Sequence, residues 1–128
     1  MIHPQQMRQA MQAYVDALNT RDTDAVVALY AEDATVEDPV GSGTILRGRA
    51  AIREFYGRFV PHGVNVRLVA PVRGSHGDSA AMAFEVEAPT PDGGKCLIRV
   101  IDVMTFNDSG QFTSMRAFWA PDDMALRA

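Results

Sequence analysis

The chain reads as an α+β domain. Three N-terminal helices are expected to pack against a curved, mostly antiparallel β-sheet, forming a cone with an apolar pocket. Two patterns carry this reading. The first half holds apolar residues at helical spacing, and the second half holds alternating runs separated by turn residues. The inward set is rich in Met, Phe and Val with a few polar groups among them, the mixture of a small-molecule site.

The elements follow in order. Met7, Ala10, Met11, Tyr14, Ala17 and Leu18 form one stripe, predicting a helix over about residues 4–20, with Pro4 suited to its first turn. Asn19-Thr20-Arg21-Asp22 breaks the pattern. A second, shorter helix follows, with Thr20 or Asp22 as N-cap and Val26, Val27, Leu29 and Tyr30 inward. Ala34 to Asp38 alternates like a strand, with Val36 and Asp38 on one face. Pro39 then removes a ladder donor, and Gly41-Ser42-Gly43 makes a loop. A third helix spans about residues 48–59 and turns Ile52, Phe55, Tyr56 and Phe59 inward.

The strands come next. Val64 to Val72 is the first, and Gly74 to Ser79 is a turn. Ala80 to Ala88 puts Met82, Phe84 and Val86 on one face and Glu85 and Glu87 on the other. Pro91-Asp92-Gly93-Gly94 signals a hairpin into the strand Leu97 to Met104. Asn107 to Gly110 turns the chain again. The last strand, about Gln111 to Ala120, groups Met115, Ala117 and Trp119 on one face.

Composition narrows the function. The 128 residues fit one domain, 1–128, and at 47% hydrophobic they can bury a sizeable core. A net charge of −4 with no basic run argues against nucleic acid or an anionic membrane surface as partner. No apolar run approaches the roughly 20 residues of a membrane span, and MIHPQQMRQA lacks a signal-peptide core. The single cysteine, Cys96, fits a cytoplasmic location. His3, His62 and His76 lack metal-ligand spacing, and Gly41-Ser42-Gly43 is not a phosphate loop.

Asp102 is the residue that breaks the strand pattern. Alternation places it with Ile98, Val100 and Met104 on an apolar face. A buried, unpaired carboxylate is expensive, so such a group finds a cation or keeps its proton. A neutral carboxylic acid can donate a hydrogen bond, which makes Asp102 a candidate catalytic part. A carboxylate paired with arginine or capping a backbone group is the alternative. Tyr14, Asp38 and Tyr56 also fall on inward faces, and Tyr30 can join them. Taken singly, each tyrosine reads as a core residue, and Asp38 before Pro39 as a strand end.

Together these residues carry a resemblance. The segments Leu29 to Pro39, Val100 to Met104, Pro71 to His76 and Ala117 to Trp119 resemble the bacterial ketosteroid isomerases. That family shares the cone fold of nuclear transport factor 2 and scytalone dehydratase. The resemblance implies that Asp38 is a general base moving a proton within a Δ5-3-ketosteroid to give the Δ4 isomer. It implies that Tyr14 and protonated Asp102 stabilise the dienolate oxygen, with Tyr30 and Tyr56 supporting Tyr14. It places Phe55, Met82, Phe84, Val86, Val100, Met115 and Trp119 around the steroid, with Trp119 near the base. It implies a homodimer, and a reaction that needs no metal or organic cofactor. Two alternatives stay open: a cyclase or dehydratase on the same fold, and a non-catalytic binder of steroids or polyketides.

Overall fold

The structure, a computed structural model, describes residues 2–127. Helix α1 (Pro4–Asn19) starts where His3 caps it: His3 accepts from the Gln5 backbone N–H, and Gln6 reaches back to the His3 N–H. Its buried face includes Met7, Met11, Tyr14 and Leu18. Helix α2 (Thr23–Ala28) is capped by Asp22, the second of the two expected residues. It ends two residues sooner than the spacing suggests. Leu29 is its C-cap, and Tyr30 opens strand β1 (Tyr30–Glu37). Strand β2 (Leu46–Arg47) precedes α3 (Arg49–Gly57).

Strand β3 (Asn65–Leu68) is shorter than the expected Val64 to Val72, because Pro71 interrupts the run. Strands β4 (Ser79–Pro89), β5 (Lys95–Phe106) and β6 (Phe112–Phe118) are the long ones. A short β7 (Met124–Arg127) pairs with β5. The sheet runs β2-β1-β6-β5-β4-β3. It is curved and open, and mixed rather than wholly antiparallel, since β1 runs parallel to β6. Two strands that short, β2 and β7, have too few residues to show alternation, so the sequence concealed both.

Three features position the site. The β4–β5 register sets Met82 opposite Asp102, Phe84 opposite Val100 and Val86 opposite Ile98, aligning the inward residues of both strands. The parallel β1–β6 pairing sets Val36 opposite Met115 and Glu37 opposite Arg116. Parallel strands end on the same edge, so Asp38 and Trp119, each just past its strand, emerge together. The Asn19 side chain clamps the end of α1 to β3, donating to the Val66 carbonyl at 2.9 Å and accepting from its N–H at 2.7 Å. No described helix is long and apolar enough to cross a membrane.

Candidate active site

A cavity of about 280 Å³ lies between the helices and the sheet. Tyr14 and Leu18 enter it from α1, Phe55 from α3, Phe84 and Val86 from β4, and Val100 and Asp102 from β5. Asp38 and Trp119 close one side.

Asp102 is 1% exposed, and neither carboxyl oxygen has a hydrogen-bond partner among the described residues. Its cross-strand neighbours, Met82 and Ala117, are buried and apolar. Burial, and to a lesser degree the nearby Asp38, pushes its pKa well above the usual carboxylate range. That shift favours the protonated form, and neither oxygen has a protein partner among the described residues. An acceptor entering the cavity can take the hydrogen bond that the protonated form donates.

Asp38 differs. It is half-buried, and Oδ1 accepts from the Trp119 indole N–H at 2.8 Å. Burial raises its pKa, and the indole hydrogen bond, by favouring the charged form, works in the opposite direction. A cis peptide bond joins Asp38 to Pro39. The two aspartates thus meet different environments within one cavity: apolar and unpartnered for Asp102, partly solvated and hydrogen-bonded for Asp38.

The tyrosines form a chain. The Tyr30 and Tyr56 hydroxyls are 2.6 Å apart, and those of Tyr56 and Tyr14 are 2.9 Å apart. Each hydroxyl has one proton to give. If Tyr30 donates to Tyr56 and Tyr56 donates to Tyr14, the Tyr14 proton is left to point into the cavity. Burial holds the Tyr14 pKa well above its ordinary value, while the Tyr56 hydrogen bond lowers it. Arg49 fixes the far end of the chain, donating to the Tyr30 carbonyl through Nε at 2.9 Å and Nη2 at 2.7 Å. The cavity therefore brings together the Tyr14 hydroxyl and the carboxyl groups of Asp102 and Asp38, with burial favouring the neutral form most strongly at Asp102.

Residues 11–122 match the SnoaL-like domain. The chain belongs to the SnoaL-like family. Within it, the chain is 48% identical over 121 residues to a steroid Delta-isomerase of Nocardioides simplex, a match covering 94% of this chain and 95% of that protein. A solved structure of SalBIII resembles it with a TM-score of 0.88 and 32% identity, over 95% of this chain and 96% of that one. SalBIII is described as an epoxide hydrolase/cyclase-like enzyme of pyran ring formation in polyether salinomycin. RV0760c from Mycobacterium tuberculosis shares the fold, with a TM-score of 0.87 and 22% identity over 98% of this chain and 99% of that one.

Against this SnoaL-like framework, the sequence-derived residues divide. Tyr14, Asp38, Asp102, Phe55, Phe84, Val86, Val100 and Trp119 share the cavity. Tyr30 and Tyr56 stand behind Tyr14. Met82 and Met115 are buried in the core beside the cavity and do not line it directly. Leu18, Phe59, Val64, Val66, Ala88 and Ile98 complete the wall. Ile98 and Ala88 were within reach of the alternation that found Val100 and Val86, extended one step along each strand. His3, His62 and His76 are all exposed. Among the described residues, no cluster of three or more His, Cys, Asp or Glu is placed to hold a metal ion.

Proposed function

We propose that this SnoaL-like chain is a steroid Δ5-isomerase that converts Δ5-3-ketosteroids to their Δ4 isomers. One observation carries the reading: the buried, unpartnered carboxyl of Asp102 shares a single apolar cavity with the Tyr14 hydroxyl and the Asp38 carboxylate. The 48% identity to a steroid Delta-isomerase supports it.

The chemistry is that already worked out for ketosteroid isomerases. Asp38 takes a proton from the carbon between the carbonyl and the double bond. The electron pair moves onto the carbonyl oxygen, giving a dienolate that accepts hydrogen bonds from Tyr14 and protonated Asp102. Asp38 then returns the proton two carbons further along, and the double bond becomes conjugated. Donors aimed at an oxygen that gains charge, in a site that excludes water, lower the barrier most. Phe55, Phe84, Val86, Val100 and Trp119 supply the flat apolar walls that a fused-ring substrate needs.

Mixing the protein with 5-androstene-3,17-dione tests this reading through the ultraviolet absorbance of the conjugated enone. A rapid rise that Asp38→Asn abolishes, while still binding the Δ4 product, supports it. No rise with the natural chain would sink it.

We also infer that the chain works as a homodimer, joined through the outer face of the sheet. Ile101 and Phe118 are cross-strand partners, 49% and 40% exposed, and Val69 beside them is 50% exposed. An apolar patch of this kind on a small domain is suited to a second copy. A Phe118→Asp variant should sediment as a monomer where the natural chain sediments as a dimer. The unpaired Cys96 agrees with a reducing cytoplasm, where we place the protein.

A further inference from the structure

A second hollow adjoins the cavity at its apolar wall. Val64 and Ala88 line the cavity, and the same two residues line the hollow outside, together with Asn19, Arg21, His62, Glu87 and Lys95. Ala88 pairs with Cys96, six residues along β5 from Asp102 and therefore about 20 Å away at the rise of a strand. The outer hollow thus lies at the end of the cavity opposite Asp102.

The polar groups in this hollow are mostly engaged. The Asn19 amide is committed to the Val66 backbone in both directions. Lys95 pairs with Glu87 at 3.3 Å. Arg21 has no carboxylate partner among the described residues, and its position is unusual in two respects. Its backbone is left-handed, φ 60°, a conformation that non-glycine residues seldom adopt. Its guanidinium also lies against the Cα of Gly63, where an added Cβ would sit 2.8 Å from Nη2 and 3.0 Å from Cζ and Nε. Gly63, itself at φ 88°, lets the guanidinium approach the backbone this closely. The guanidinium thus rests at the edge of the hollow, exposed and without a hydrogen bond to another described residue, so its N–H donors stay open to an anion.

We propose that Arg21 is a specificity residue that selects substrates carrying a carboxylate on the end remote from the reacting carbonyl. This rests on the isomerase reading for the orientation of the substrate. With the carbonyl at Tyr14 and Asp102, the ring system extends along β5 past Val100 and Ile98. A short side chain on its last ring then emerges beside Val64 and Ala88, facing Arg21. A guanidinium matches a carboxylate with two parallel N–H donors.

The test compares two substrates that differ only at the far end: a Δ5-3-ketosteroid with a carboxylate on the last ring, and its methyl ester. The natural chain should favour the acid in kcat/KM by about fivefold, the scale of an exposed ion pair. The ratio should fall to about one in Arg21→Asn, a replacement that tolerates the left-handed backbone. Arg21→Lys should restore part of the preference, and added salt should narrow it. A ratio near one in the natural chain, or a preference that Arg21→Asn leaves intact, overturns the inference while turnover of the ester still upholds the isomerase. If neither compound turns over, calorimetric binding of the Δ4 acid and its ester decides separately. Tighter binding of the acid that Arg21→Asn abolishes supports the role of Arg21, and equal binding ends it.

Discussion

Trp119 donates its indole N–H to Oδ1 of Asp38 across 2.8 Å, joining the end of β6 to the end of β1. Burial and this hydrogen bond act on the carboxyl in opposite directions, burial raising its pKa and the indole lowering it. A base must be ionised to accept a proton, so the acid limb of the pH–rate profile reports the balance between the two.

Trp119→Phe keeps an aromatic wall and removes the donor. The Asp38 pKa should then rise further, and the acid limb of kcat/KM should move to higher pH, with activity recovering on the alkaline side. A pH profile for each protein measures the shift. A limb that stays in place would mean that the indole packs against Asp38 without tuning it.

Asp102 offers a test of donor against shape. Asp102→Asn keeps an N–H donor in the cavity, whereas Asp102→Leu leaves none. Loss of one oxyanion donor costs about 10²–10³ in rate. Asp102→Leu should show a loss on that scale, chiefly in kcat, and Asp102→Asn a smaller one. Equal kcat for Asp102→Leu and the natural chain would remove Asp102 from the oxyanion site.

The same residue links stability to pH. Asp102 has a folded-state pKa well above its unfolded value of about 4, because burial disfavours the charge. Between those two values the folded chain holds a proton that the unfolded chain has lost. The contribution of Asp102 to stability is therefore fully present below pH about 4 and is lost as pH rises through the folded pKa. Asp102→Asn removes that dependence. The melting temperature of the variant relative to the natural chain should rise between pH 4 and pH 7. A pH-independent difference would mean that Asp102 ionises in the folded protein much as it does in water.

These arguments differ in how early the sequence made them available. Alternation alone put Asp102 among Ile98, Val100 and Met104, because a long strand imposes a period of two that a single polar residue breaks visibly. Helical spacing did the same for Tyr14 and Tyr56. The contact between Trp119 and Asp38 is not legible in the strand pattern, although the family resemblance puts Trp119 near the base. It depends on β1 running parallel to β6 across 81 positions of chain, and strand pattern carries no record of a strand's neighbour or direction. Tyr30 reads as helical because a period of 3.6 and a strand start look alike over one turn; the chain straightens after Leu29, the C-cap of α2. Met82 and Met115 face inward as alternation requires, but facing inward does not separate a cavity wall from the packed core around it.

The tyrosine chain provides the last test. Tyr30 is 0% exposed, and its hydroxyl bonds to Tyr56 at 2.6 Å. Tyr56→Phe removes the middle member, leaving the Tyr30 hydroxyl buried and unpaired and the Tyr14 hydroxyl without the neighbour that orients it. An unsatisfied buried hydroxyl costs about 1–3 kcal/mol. Tyr56→Phe should therefore destabilise the fold by about that much, and lower kcat by less than loss of Tyr14 does, since Tyr14 keeps its proton. Adding Tyr30→Phe takes away the stranded hydroxyl. The double variant should accordingly be less destabilised than the two single losses added together, with a coupling of about 0.5–3 kcal/mol by denaturant unfolding. Strict additivity would show that the 2.6 Å contact contributes nothing as a pair and that the Tyr30 and Tyr56 hydroxyls act independently.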